Sequence, residues 1–162
     1  QNVGVDPMVT FQTTHVTVQL QNSSGDHLDT GTVSYYASGW KSIGDTISGT
    51  VSIELLPQNY QFRMAYGGTT SNLTQNVGAD PVVTFQTTNV TVQLQDNNGD
   101  PLDTGTASYY ASGWKPIGDT ISGTVSIELL PRSYQFRMVY GGITSSITQN
   151  VGVDPIVIFQ IN

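Results

Sequence analysis

The sequence predicts an all-β fold of two β-sandwich units in tandem. Three observations carry this. Residues 1–74 and 75–148 match at 59 of 74 positions, and residues 149–162 begin the same text a third time. A fixed period that long marks an array of one structural unit. Val, Thr, Tyr, Ile and Phe alternate with polar residues in short runs, and no convincing helix is found. Gly, Pro, Asn and Asp punctuate those runs at the intervals expected of turns in a sandwich.

The elements follow in order. Val16, Val18 and Leu20 alternate with Thr17, Gln19 and Gln21, which predicts a half-buried strand. Asn22-Ser-Ser-Gly-Asp26 and its counterpart Asp96-Asn-Asn-Gly-Asp100 read as turns. Residues 32–37 form a second strand. Residues 38–44, Ser-Gly-Trp-Lys-Ser-Ile-Gly, read as a loop or a bent short strand. The clearest strand is 50–56, with Val51, Ile53 and Leu55 on one face and Ser52 and Glu54 on the other, stopped by Pro57. Residues 60–66 place Tyr60, Phe62, Met64 and Tyr66 together. After Gly67-Gly68, residues 70–77 read as a polar edge strand, and residues 82–86 close the unit. Six or seven strands in that span make a two-sheet sandwich.

The inward parity slips between Phe11 and Val16, across Thr13-Thr14, and again at Thr87-Thr88. Boundaries there make residues 1–13 the closing strand of a preceding repeat, 14–87 the first sandwich and 88–162 the second. A closing strand without its own unit has unpaired backbone and an apolar face, so it seeks a sheet edge in cis or in another chain. Head-to-tail association is one consequence. The chain opens mid-pattern without a signal peptide, as a piece of something longer would.

Most differences between the copies fall at expected turns or exposed faces, such as Ser23/Asn97, His27/Pro101 and Gln58/Arg132. Two look reciprocal: Val33 becomes Ala107 while Ala65 becomes Val139. Contact between positions 33 and 65 would conserve core volume.

Composition narrows the function. There is no cysteine, hence no disulfide, thiol nucleophile or thiolate metal site. Charged residues make up 10% of the chain and the net charge is -7. Lys41, Arg63, Lys115, Arg132 and Arg137 are too few to neutralise a run of phosphates, which argues against nucleic acid and anionic membrane as partners. No apolar run approaches the ~20 residues of a membrane span.

The candidate chemistry is sparse. His15 and His27 become Asn89 and Pro101, so neither serves a metal or acid–base role common to both units. Asp26, Asp29, Asp100 and Asp103 cluster around Gly-containing turns, where oxygen ligands would suit calcium; Asp is equally an ordinary turn former. Asp45 and Glu54 make a weak acid pair, with no evident cleft for a glycosidase. No cofactor and no enzymatic activity are expected. The aromatic set is sharper. Tyr35-Tyr36-Ala-Ser-Gly-Trp40 is repeated unchanged as Tyr109-Tyr110-Ala-Ser-Gly-Trp114. Adjacent tyrosines in a strand face opposite ways, so one of each pair is external. Tyr36, Trp40, Tyr110 and Trp114 would then offer faces for stacking on sugar rings. The alternative is that Trp covers one end of a small core.

The order of motifs adds a resemblance. Val-Gln-Leu-Gln-Asp-Asn-Asn-Gly-Asp-Pro-Leu (92–102), a strand with Tyr109-Tyr110, Gly-Thr-Val-Ser-Ile-Glu-Leu-Leu-Pro (123–131) and Tyr134-Gln-Phe-Arg follow one another. This resembles the prealbumin-like, CnaB-type and carboxypeptidase-regulatory-like Ig-like sandwich repeats of bacterial surface proteins, over most of each unit. The resemblance implies an extracellular stalk, adhesin or matrix role. It also implies an internal Lys–Asn isopeptide bond, with the Lys on the first strand. Here that strand has no Lys, and only Lys41 and Lys115, in the Trp-containing segment, are available.

The reading is therefore a non-catalytic structural or adhesive tandem repeat, a row of folded beads acting as a spacer. One alternative is a carbohydrate-binding module with polysaccharide as partner. The other is a fibre repeat that joins neighbouring copies by strand exchange.

Overall fold

The computed structural model describes residues 9–161. Every regular element is a strand, and each repeat folds into its own seven-stranded sandwich. In the first unit the strands are β1 (Thr14–Gln21), β2 (Thr32–Tyr36), β3 (Trp40–Asp45), β4 (Thr50–Leu55), β5 (Asn59–Tyr66), β6 (Thr69–Asn76) and β7 (Val82–Gln86). In the second they are β8 (Thr88–Asp96), β9 (Thr106–Tyr110), β10 (Trp114–Asp119), β11 (Thr124–Leu129), β12 (Ser133–Tyr140), β13 (Ile143–Asn150) and β14 (Ile156–Ile161). A three-stranded sheet of order β4-β1-β7 faces a four-stranded sheet of order β3-β2-β5-β6, and the second unit repeats this as β11-β8-β14 and β10-β9-β12-β13.

Alternation decides which side chains meet between the sheets. Val16, Val18 and Leu20 from β1 and Val83 and Phe85 from β7 pack against Val33, Tyr60, Phe62 and Met64 from the opposite sheet. The polar β6 lies at the sheet edge, as its composition predicts. Residues 40–45 form β3 rather than a loop. The register steps from Val33 opposite Gly44 to Ser34 opposite Ser42, so Ile43 is an extra bulged residue. The bulge hides the strand's alternation. The same irregularity recurs at Ile117, beside Pro116 on edge strand β10, where a residue without N–H is tolerated.

One expectation is corrected. Positions 33 and 65 do not meet. Val33 pairs with Met64 and points into the core, whereas Ala65 pairs with Thr32 and faces outward. An offset of one residue on adjacent strands puts the two side chains on opposite faces of the sheet, and Ala107 and Val139 are separated in the same way. The direction of β7 is a finding of the structure. The strand runs parallel to β1, with Val83 opposite Val18 and Phe85 opposite Leu20, a direction that alternation alone does not encode. The crossover places the end of β7 beside the end of β1, so Thr87 alone connects the two units.

The expected closing strand over residues 1–13 lies mostly outside the described residues. Val9 to Thr13 are described, and they belong to no strand. Phe11 is 77% exposed, while its counterpart Phe85 is 5% exposed in β7.

Candidate functional site: the junction between the repeats

The strands fix which side chains reach each end of a unit. β1 begins, β4 ends and the β2–β3 hairpin turns at the leading end. The trailing end carries the turn after β1 and the Gly67-Gly68 turn between β5 and β6. The leading end of the second unit sits on the trailing end of the first.

Glu128 lies at the centre of this junction. Its carboxylate accepts hydrogen bonds from the Ser23 backbone N–H at 3.2 Å, the Ser23 hydroxyl at 2.6 Å, the Thr87 hydroxyl and the Asn89 side-chain amide at 3.2 Å. One carboxylate thus ties together the trailing turn of the first unit, the connecting residue and β8. Burial by itself would raise the Glu128 pKa; the bonds from Ser23, Thr87 and Asn89 outweigh it and hold the carboxyl below its ordinary value.

Beside it, Leu130 is 1% exposed and belongs to the core cluster of the first unit, with Phe62, Val77 and Phe85. Tyr109 donates its hydroxyl proton to the Gly67 carbonyl at 2.9 Å. The Tyr134 hydroxyl bonds Thr69 Oγ1 at 3.0 Å and donates to the Leu130 carbonyl at 2.9 Å. Burial pushes the pKa of both tyrosines up, so they remain donors at neutral pH. Gly67 and Gly68 have φ of 60° and 81°. A Cβ on Gly68 would come within 2.6 Å of Lys115 Cε and 3.1 Å of the Ala111 carbonyl. A groove of about 370 Å³ opens along the seam between Gly68, Thr69, Tyr110, Arg132 and Tyr134.

The folded beads of the row are joined by more than their short connection, because apolar core and hydrogen bonds both run through the junction. Sequence reasoning missed Glu128. Its strand parity points it away from its own core, and its partners come from another repeat. The signal that could have found it is that Ser23/Asn97, Thr69/Ile143, His15/Asn89 and Gln58/Arg132 all fall on the two end surfaces.

The aromatic candidates take the same places in both units. Tyr35 and Tyr109 point inward, while Tyr36 and Tyr110 are each 50% exposed. Tyr36 stands edge-on to Trp40 at a centroid separation of 5.6 Å and an interplanar angle of 75°, and Tyr110 meets Trp114 at 5.6 Å and 77°. Arg63 lies 3.6 Å over the Trp40 ring and Arg137 lies 4.3 Å over Trp114. One face of each indole is thus taken by a guanidinium, a cation–π contact worth about 0.5–1 kcal/mol when exposed.

The remaining candidates hold local structure. Asp29 and Asp103 accept the N–H of Gly49 and Gly123 at 2.8 and 2.9 Å. Asp26 accepts from the Asn22 amide at 3.2 Å across its turn, and the Asp100 N–H donates to Asp96 at 2.9 Å. Among the described residues, no three of His, Asp and Glu come together as a metal set. Lys41 and Lys115 are exposed on β3 and β10, opposite Tyr35 and Tyr109. His15 bonds Glu54 at 3.0 Å across β1 and β4.

No family model and no curated protein matches the chain. Solved structures to which it is similar include the Bacillus anthracis TIE protein, at 12% identity over 93% of this chain with a TM-score of 0.38. A streptococcal ancillary pilin is similar at 13% identity over 94% with a TM-score of 0.40. Fervidolysin from Fervidobacterium pennivorans, a keratinolytic enzyme related to subtilisin, is similar at 9% identity over 89% with a TM-score of 0.41. The chain spans 33%, 62% and 30% of those three structures. Among the described residues no helix is long and apolar enough to cross a membrane.

Proposed function

We propose that this chain is a non-catalytic structural repeat of an extracellular surface protein, a stiff spacer whose length comes from stacking units end to end. The observation that carries the reading is Leu130, a side chain of the second unit buried in the core of the first across a one-residue connection. A flexible linker would let the end-to-end distance fluctuate. A junction closed by Leu130 and Glu128 holds it fixed, so each added unit extends the row by a constant step. Small-angle scattering tests this. The chain should scatter as one elongated conformer, and Leu130→Asp should broaden the distance distribution while each unit stays folded. Broad scattering from the unaltered chain would remove the spacer reading.

A second reading is favoured by the exposed Tyr36 and Tyr110 beside Trp40 and Trp114. They repeat on one edge of each unit, and Tyr110 also borders the seam groove. Weak polysaccharide sites in a row would gain avidity. Retention on insoluble polysaccharide that disappears in the Trp40→Ala, Trp114→Ala double variant supports it. Equal behaviour of the two proteins removes it.

A further inference from the structure

The seam groove is built by both repeats and belongs to neither alone. Gly68 and Thr70 come from the first unit, Tyr110 and Ser112 from the β9–β10 turn, and Arg132 and Ser133 from the chain entering β12. At about 370 Å³ it is at the small end of ligand pockets, with room for roughly one or two sugar rings. No Asp or Glu lines it, although the chain has 12 acidic residues against 5 Lys and Arg. Arg132 is its one charged group. Among the described residues the one ion pair joins His15 to Glu54, so Arg132 has no carboxylate partner there.

The junction frees this arginine. Gln58, its counterpart, donates to the Tyr60 hydroxyl at 2.8 Å. The Tyr134 hydroxyl is already held by Thr69 and the Leu130 carbonyl, so it makes no demand on residue 132. The Arg132 guanidinium stands 5.9 Å from the Tyr134 ring centroid, within reach of a cation–π contact that keeps it at the groove wall. Tyr110, Ala111 and Ser112 repeat Tyr36, Ala37 and Ser38, whereas Gln58-Asn59 becomes Arg132-Ser133. The wall thus gains a fork of N–H donors with a small hydroxyl beside it. Tyr110 lines the same groove, half exposed, and meets Trp114 edge-on, which leaves ring surface bare. A flat ring takes the apolar C–H face of a sugar. The Thr70, Ser112 and Ser133 hydroxyls suit its hydroxyls, and a guanidinium suits a carboxylate. One cation in a chain of net charge -7 fits a single carboxylate, because a polyanion would be repelled.

We infer that the seam between the repeats binds an acidic sugar carrying one carboxylate, a uronic acid residue of a glycan. Arg132 takes the carboxylate, Tyr110 takes the ring face, and the hydroxyls of both units take the sugar hydroxyls. The inference rests on the polysaccharide reading for its ligand class and differs from it in place. The site is the seam, so it occurs once per junction and exists only while the two units stay together.

Amide chemical shifts of the whole chain, titrated with methyl β-glucuronide, test the inference. Methyl β-glucoside and acetate are titrated beside it, to separate the acidic sugar from a neutral sugar and from a bare carboxylate. The glucuronide should shift the Gly68, Ser112 and Ser133 amides and bind about tenfold or more tighter than either control, as a charge-assisted hydrogen bond added to a sugar contact allows. Arg132→Gln, which installs the residue the first unit carries at 58, should reduce the glucuronide to the level of the glucoside. Tyr110→Ala should weaken both sugars. Leu130→Asp, which parts the units, should abolish the shifts. Positions 110 and 132 are exposed, and unchanged shifts away from the seam verify that those variants fold. A chain that ignores the glucuronide overturns the inference, as does equal binding of the glucoside or of acetate. Undiminished binding in any of the three variants overturns it too. Shifts confined to Trp40, Trp114 and their strand neighbours overturn the seam site and leave the polysaccharide reading standing. That reading fails separately, when the double tryptophan variant is retained on insoluble polysaccharide as the unaltered chain is.

Discussion

Leu56 and Leu130 are the same residue in the same local sequence, yet one is half exposed and the other sits in a core that is not its own. Glu54 and Glu128 differ in the same way. Glu54 faces solvent with His15, and Glu128 bonds a neighbouring repeat. In a repeat array a residue's energetic role is set by what lies beyond the end of its unit, because stability divides into what each repeat contributes and what each interface contributes. The chain carries its own control for every interface residue, one copy of which lies at the junction and one away from it.

The largest contrast is expected at the leucines. Leu130→Ala should cost about 2–5 kcal/mol, as for a buried leucine whose site cannot fully collapse. Leu56→Ala should lie within about 1 kcal/mol of the unaltered chain, as at exposed sites. Urea denaturation measures both, and Leu130→Ala should also separate one transition into two. Equal costs would break the comparison. The glycines come next. Gly68→Ala and Gly142→Ala share the penalty of a positive φ, but only Gly68 faces Lys115 and Ala111. The difference between them should be about 1–3 kcal/mol, the usual range for overpacking.

A smaller effect is expected for Tyr109→Phe, which removes the hydrogen bond to Gly67 and should cost about 1 kcal/mol. Tyr35→Phe, whose hydroxyl bonds no described residue across a junction, should cost less. The same denaturation curves report both. The smallest effect is that of pH. Hydrogen bonds hold the Glu128 carboxyl below its ordinary value of 4.5. Its stabilisation of the junction is therefore whole above that value and is lost as pH falls through the lower folded value. Scattering across an acid titration should show the junction loosening in that window, and Glu128→Gln should flatten the response.

Much of the fold was legible because sandwich strands alternate and their turns demand Gly, Asn, Asp and Pro. The strand 50–56 and the outward turn of one tyrosine of the 35–36 pair follow from parity, and the edge character of β6 from its polar composition. β3 was obscured by the bulge at Ile43, which breaks the two-residue period. The parallel course of β7 was not legible, since a strand alternates identically whichever way its neighbour runs. The volume argument linking positions 33 and 65 failed because it compared sizes without faces. The junction was the least legible. Identical local sequences cannot say which copy is covered, and the only trace was the gathering of substitutions such as Ser23/Asn97 and Thr69/Ile143 on the end surfaces.

Whether the two repeats move as one body is measured most directly by residual dipolar couplings of the whole chain in a weakly aligning medium. With Leu130 and Glu128 closing the junction, the couplings of both units should fit a single alignment tensor, and Leu130→Asp should split it into two. Two tensors of different magnitude in the unaltered chain would mean that the units tumble independently, and the account of a rigid row would be wrong.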